Sequence, residues 1–210
     1  MSKAAAIKHG YTAGARTLAA RSIGGLARTR VTPNALTASG VLLCAAASVV
    51  VLFERHNQIL FYWLGAVLFV AGSVLDILDG ALARAGGKST PFGAFIDSTT
   101  DRVSEGFMLA AIAYIFADHG HPVFVVVAVG AVAGSFLVSY TRARAEALGL
   151  KGDVGIGSRA ERVVVITAGL VFAPWGVLPW AIAALTVTAW ITVIQRVLSV
   201  RKQLAAQTHA

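Results

Sequence analysis

Six apolar runs separated by short polar connections dominate this 210-residue chain, and they leave few folds open to it. The runs lie at about 34–53, 60–82, 93–117, 122–146, 160–176 and 178–200. As helices rising 1.5 Å per residue, all six have the length expected for crossing a hydrocarbon layer of about 30 Å. Charged residues make up 13% of the chain and hydrophobic ones 57%, whereas an ordinary soluble domain carries about 25% charged residues. A single core of this size cannot hide so much apolar surface, so a water-soluble globule is excluded. The expected fold is an all-α integral membrane domain of six transmembrane helices over 34–210, preceded by an amphipathic juxtamembrane segment over 1–33. Gly86–Gly87, Gly120–Pro122, Gly149–Gly157 and Pro174–Pro179 punctuate the connections. The sequence shows no internal repeat and no low-complexity segment.

The first 33 residues mix Lys3, Lys8, Arg16, Arg21, Arg28 and Arg30 with Ile7, Tyr11, Leu18, Ile23 and Leu26. No long apolar stretch follows the basic residues at once, as it would in a secretory signal. The spacing suits a helix lying in the interface with its cations toward lipid phosphates. Of the 18 Lys and Arg residues, 17 fall on the side of the two termini and Arg55 alone on the other. The positive-inside rule therefore puts both termini in the cytoplasm of a multi-pass cell-membrane protein. Tyr62, Trp63, Trp175 and Trp180 then fall near the outer interface. The net charge of +8 points to anionic headgroups rather than nucleic acid. Cys44, the single cysteine, lies in an apolar run and reads as a packing residue.

Five of the ten acidic residues fall within 76–105: Asp76, Asp79, Asp97, Asp101 and Glu105. Ionisable groups inside apolar segments cost about 2.5–3.5 kcal/mol each, so by default they report function. Asp76 and Asp79 share one helical face at the end of the second segment, and Asp97 and Asp101 share one at the start of the third. A short loop makes the two segments antiparallel neighbours, able to point all four carboxylates at one another. Four adjacent anions require neutralisation, and several carboxylate oxygens suit Mg²⁺ or Mn²⁺ completed by phosphate oxygens. Two such ions are common in phosphoryl-transfer sites. The cluster lies roughly 10 Å inside the cytoplasmic boundary, a depth that a lipid phosphate reaches while its tails stay in hydrocarbon.

The residues Asp76-x-x-Asp79-Gly80-x-x-Ala83-Arg84, eight further positions and then Gly93-x-x-x-Asp97-x-x-x-Asp101 resemble the signature of the CDP-alcohol phosphotransferases. The resemblance implies attack of an alcohol on the β-phosphorus of a CDP-linked lipid, with release of CMP. It implies Asp76, Asp79, Asp97 and Asp101 as ligands of two divalent ions, with Asp101 also the base that accepts the hydroxyl proton. It further implies CDP-lipid contacts at Asn34, Ala35, Leu36, Thr37, Gly80, Arg84 and Thr90, and a homodimer.

The acceptor alcohol depends on a second cluster. Ser139, Arg142 and Arg144 end the fourth segment, Arg162 opens the fifth and Arg196 lies near the inner end of the sixth. All five are expected on the side of the aspartates, and guanidinium groups suit an acceptor phosphate. The stretch Ser139 to Glu146 is similar to that of actinobacterial phosphatidylinositol phosphate synthases, which implies CDP-diacylglycerol and inositol phosphate as substrates. Phosphatidylglycerophosphate synthases, with glycerol 3-phosphate as acceptor, are the nearest alternative. A cation transporter is a distant one, because the sequence shows neither a repeat nor carboxylates embedded in its last three spans.

Overall fold

The computed structural model describes residues 32–85 and 90–208. Among them are six helices: α1 (Pro33–Val50), α2 (Gln58–Ala85), α3 (Pro91–Asp118), α4 (Pro122–Ala147), α5 (Arg159–Val171) and α6 (Leu178–Thr208). Single 3₁₀ turns at Val51–Phe53 and Ala173–Trp175 follow α1 and α5, and the described residues contain no strand. Residues 1–31, which hold most of the expected interfacial segment, lie outside the described residues, and its last two, Thr32 and Pro33, cap and begin α1.

Local chemistry sets the helix starts. Thr32 and Thr90 cap α1 and α3 by accepting from the amides of Ala35 and Gly93, each with a proline at the first turn. A capping box starts α5: Ser158 accepts from the Glu161 amide, and the Glu161 carboxylate accepts from the Ser158 amide at 2.8 Å.

Among the described residues, four helices are long and apolar enough to cross a membrane: α1 with its 3₁₀ turn, α2, α4 and α6. The third segment forms a helix of 28 residues, but Asp97, Asp101, Arg102 and Glu105 interrupt its apolar character. The fifth departs from the expected 160–176: α5 has 13 residues, about 20 Å of helix. Pro174 lacks an amide proton, and the chain turns there before α6 begins.

Helices α1 and α2 pack antiparallel with their backbones almost touching. A Cβ on Gly72 would lie 2.6 Å from Cys44 Sγ and 2.7 Å from the Gly40 carbonyl oxygen. Such contact is the small-residue packing of membrane helices, where close approach replaces the hydrophobic drive. Cys44 is buried in this seam, as its apolar setting suggested. Phe69, Met108, Ile112, Ile166, Leu170 and Ile182 gather the helices into one core, away from the aspartate-bearing ends of α2 and α3. Large apolar side chains such as Leu42, Val67, Val126 and Trp180 lie exposed around the outside, an arrangement suited to lipid and not to water.

At the end remote from the aspartates, Arg55 pairs with Asp118 at 2.5 Å and His119 with the buried Glu54 at 2.7 Å. These contacts tie the α1–α2 connection to the end of α3.

Candidate active site

The last turns of α2 and the first turns of α3 bring Asp76, Asp97 and Asp101 together. Each offers one carboxylate oxygen, and the three oxygens lie within 4.8 Å of one another. The fourth aspartate stands outside this trio. Asp79 is buried and accepts a hydrogen bond from the Thr37 hydroxyl, 42 residues away on α1. It still lies beside the trio, near enough for the charges of Asp76 and Asp97 to bear on it. Gly40 explains the geometry, because a Cβ there would sit 2.9 Å from the Gly72 carbonyl oxygen, one turn before Asp76. Without one, α1 lies flat on the Asp76 turn and Thr37, one turn earlier, reaches Asp79.

A cation that the spacing argument overlooked sits among these carboxylates. Arg159, the first residue of α5, bonds Asp76 Oδ2 through Nη1, and the same nitrogen lies 2.6 Å from Asp101 Oδ1. The Asp101 contact is an ion pair without hydrogen-bond alignment, which leaves Asp101 Oδ1 buried with no donor. Asp79 Oδ1 is buried in the same condition. Carboxylate oxygens removed from water with lone pairs unused fit a divalent cation, and the all-oxygen donor set suits Mg²⁺ or Mn²⁺. The sequence did carry a signal for Arg159, since it stands three residues before Arg162 and so on the same helical face.

The residues expected around CDP divide by position. Asn34 and Ala35 are exposed on the first turn of α1, Leu36 is buried beside them, and Thr37 is engaged with Asp79. Gly80 is half-buried on α2, next to Asp79. The Thr90 hydroxyl turns to its own helix as the α3 cap. The Arg84 side chain lies outside the described residues.

The expected acceptor residues fall into two groups. Ser139 is half-buried near the end of α4, while Arg142 and Arg144 are exposed there, Arg142 with Glu146 at 2.8 Å. Arg162 and Arg196 are buried. Glu105 grips Arg162 in a bidentate pair, Nε to Oε1 at 2.7 Å and Nη2 to Oε2 at 2.8 Å, and Arg162 Nη1 donates to the Gly157 carbonyl at 2.8 Å. Arg196 donates to the carbonyls of Val154, at 2.8 Å, and Val138. Both arginines thus hold the glycine-rich α4–α5 loop. That loop also lies on Thr192, whose hydroxyl accepts from the Gly157 amide at 3.1 Å. Gly155, at φ +121°, has no room for a Cβ, which would come 2.4 Å from Thr192 Cγ2. The charges of Arg142 and Arg162 still bear on Arg196, so these three arginines form one electrostatic group.

The family model for CDP-alcohol phosphatidyltransferases matches residues 30–200. The chain belongs to this family. Among its relatives is the archaetidylinositol phosphate synthase of Pyrococcus horikoshii, 40% identical over 181 residues, which cover 85% of this chain and 88% of the relative. The phosphatidylinositol phosphate synthase of Mycolicibacterium smegmatis is 38% identical over 182 residues, covering 83% of this chain and 79% of that one. Among solved structures, the Mycobacterium tuberculosis phosphatidylinositol phosphate synthase PgsA1 with CDP-DAG bound superposes with a TM-score of 0.76 at 29% identity, over 88% of this chain and 94% of that one. The same enzyme in complex with manganese and citrate gives 0.74 at 33% identity, over 87% and 88%.

Proposed function

We propose that this chain is a membrane phosphatidyltransferase that moves the phosphatidyl group of CDP-diacylglycerol to a hydroxyl of inositol phosphate, giving phosphatidylinositol phosphate and CMP. The observation that carries this reading is the meeting of Asp76, Asp97 and Asp101 within 4.8 Å. Two relatives named for inositol phosphate lipids favour inositol phosphate over glycerol 3-phosphate as acceptor. The PgsA1 structure with CDP-DAG supports the nucleotide lipid, and the manganese complex supports a divalent ion.

In the reaction, the acceptor oxygen forms a bond to the β-phosphorus as the bond to the CMP oxygen breaks. Asp101 accepts the hydroxyl proton. Asp76, Asp79, Asp97 and Asp101 would hold two ions, Mg²⁺ or Mn²⁺, which when bound supply charge neutralisation for the diphosphate. Thr37 keeps Asp79 aimed by its hydrogen bond. Asn34 to Thr37, Gly80, Arg84 and Thr90 surround the CDP group. Arg142, Arg144 and Ser139 meet the acceptor phosphate from the open side, while the buried Arg162 and Arg196 shape the pocket floor and add positive charge.

The proposed architecture is a six-span catalytic unit over 34–210 with 1–33 as a juxtamembrane segment. Both termini and the site face the cytoplasm, and two copies form a homodimer. The test is purified protein with CDP-diacylglycerol, Mg²⁺ or Mn²⁺, and radiolabelled inositol 3-phosphate or glycerol 3-phosphate. CMP release with label entering lipid from inositol phosphate alone is expected. Incorporation of glycerol phosphate alone overturns the acceptor, and absence of CMP release with either overturns the reaction.

A further inference from the structure

We infer that Arg159 is a tethered counter-cation that competes with divalent metal for Asp76 and Asp101 and moves onto substrate phosphate when metal takes those oxygens. The inference rests on the metal-dependent reading above. Arg159 Nη1 contacts Asp76 Oδ2 and Asp101 Oδ1 together. A divalent ion held by the aspartate trio would draw on the same two carboxylates. The two cations compete for the negative charge of the same carboxylates, and each weakens the hold of the other.

Arg159 is also held in a way that permits release. A single nitrogen carries both contacts, and one of the two lacks hydrogen-bond alignment. Its side chain is 23% exposed, so it keeps an open flank. Arg162, one turn further along α5, is fixed through three nitrogens and is 5% exposed. The two arginines share a helical face but not a role: Arg162 anchors α5, and Arg159 is free to exchange partners. The helix start carries partial positive charge, offset in the same turn by the Glu161 carboxylate. Asp76 and Asp101 are what hold Arg159 there. Once their charge is taken by metal, the guanidinium turns to the next anion within reach, and its fork suits a phosphate.

The competition predicts an effect opposite in sign to that of losing a ligand. An adjacent arginine lowers the proton affinity of a carboxylate by about one to three decades, and the same electrostatics act on Mn²⁺. The measurement is Mn²⁺ binding to purified protein without nucleotide lipid, followed by electron paramagnetic resonance. Arg159→Gln is expected to bind Mn²⁺ about tenfold more tightly than wild type, and Arg159→Met likewise. Arg159→Lys keeps the charge and is expected to stay near wild type. The same two neutral variants are expected to raise the KM for CDP-diacylglycerol. Unchanged or weaker Mn²⁺ binding by both neutral variants, in an enzyme that turns over with metal, overturns this inference and leaves the proposed function standing. No Mn²⁺ binding by any form, together with no CMP release, overturns both. Arg159→Met covers the case in which the Gln variant does not fold.

Discussion

Replacing Arg162 by methionine tests whether the buried basic residues support the site or merely fill it. The pair with Glu105 is bidentate at 2.7 and 2.8 Å, and the two side chains are 5% and 4% exposed. Arg162→Met removes the cation and strands the Glu105 carboxylate in a dry setting, a change that costs about 3–5 kcal/mol. In proteins of 150–250 residues, 1 kcal/mol moves the melting midpoint by about 2–4 °C. The midpoint is therefore expected to fall by about 6–20 °C, followed by circular dichroism in one detergent at fixed protein concentration. The variant also releases the Gly157 carbonyl and so loosens the α4–α5 loop. Adding Glu105→Met removes the stranded anion, and the double variant is expected to recover most of the lost stability. It should not recover function: the KM for inositol phosphate is expected to stay raised, and by more than the KM for CDP-diacylglycerol. A single variant melting within about 2 °C of wild type would refute the buried-pair energetics. Equal effects on both KM values would refute the acceptor-side role.

Asp101→Asn is expected to lower CMP release by at least about a hundredfold while the helical circular dichroism spectrum persists; near-normal turnover removes Asp101 as the base. Gly72→Val drives a Cβ into Cys44 Sγ, 2.6 Å away, and the Gly40 carbonyl. It is expected to cost about 1–3 kcal/mol and to depress activity by pulling Thr37 from Asp79; an active, equally stable variant would contradict the backbone contact. In a Cys44→Ser background, Arg55→Cys should react with a membrane-impermeant maleimide on intact cells and Arg144→Cys only after disruption, and the reverse pattern inverts the orientation. Chelation by EDTA is expected to abolish CMP release, and added Mg²⁺ or Mn²⁺ to restore it.

What could be read from the sequence was whatever depends on short-range spacing. Asp76 with Asp79, and Asp97 with Asp101, are fixed to shared faces by helical periodicity alone, and the neighbouring segments bring three of the four together. Thr37 engages Asp79 across 42 positions, and that contact comes from the close packing of α1 on α2 at Gly40 and Gly72. The arginines show the same division. Their positions and charges were plain, but Arg162 and Arg196 are held by carbonyls of a glycine-rich loop, by the Val138 carbonyl on α4 and by a glutamate 57 positions from Arg162. Glu105 was visible as the fifth acid of the cluster, but only the fold makes it the holder of Arg162. Apolar runs gave the helices and overstated the fifth, because hydropathy counts the residues around Pro174 as though they continued the helix.

The shortness of α5 has its own bearing on the site. Asp76 lies nine residues before the end of α2, roughly 14 Å of helix, and its partner Arg159 is the first residue of α5. The fifth helix therefore begins deep beside α2 rather than level with its end. A fifth helix as long as α2 would carry its first turns past the aspartates and close the space above them with backbone. Truncation leaves that level to side chains and to the loop that Arg162 and Arg196 hold. A helix start favours anions, but at the start of α5 the capping box already engages the Ser158 and Glu161 amides and places the Glu161 carboxylate there. Apolar packing holds the far half of α5 through Ile166 and Leu170, and the buried Arg162–Glu105 pair fixes the half nearer the aspartates to α3.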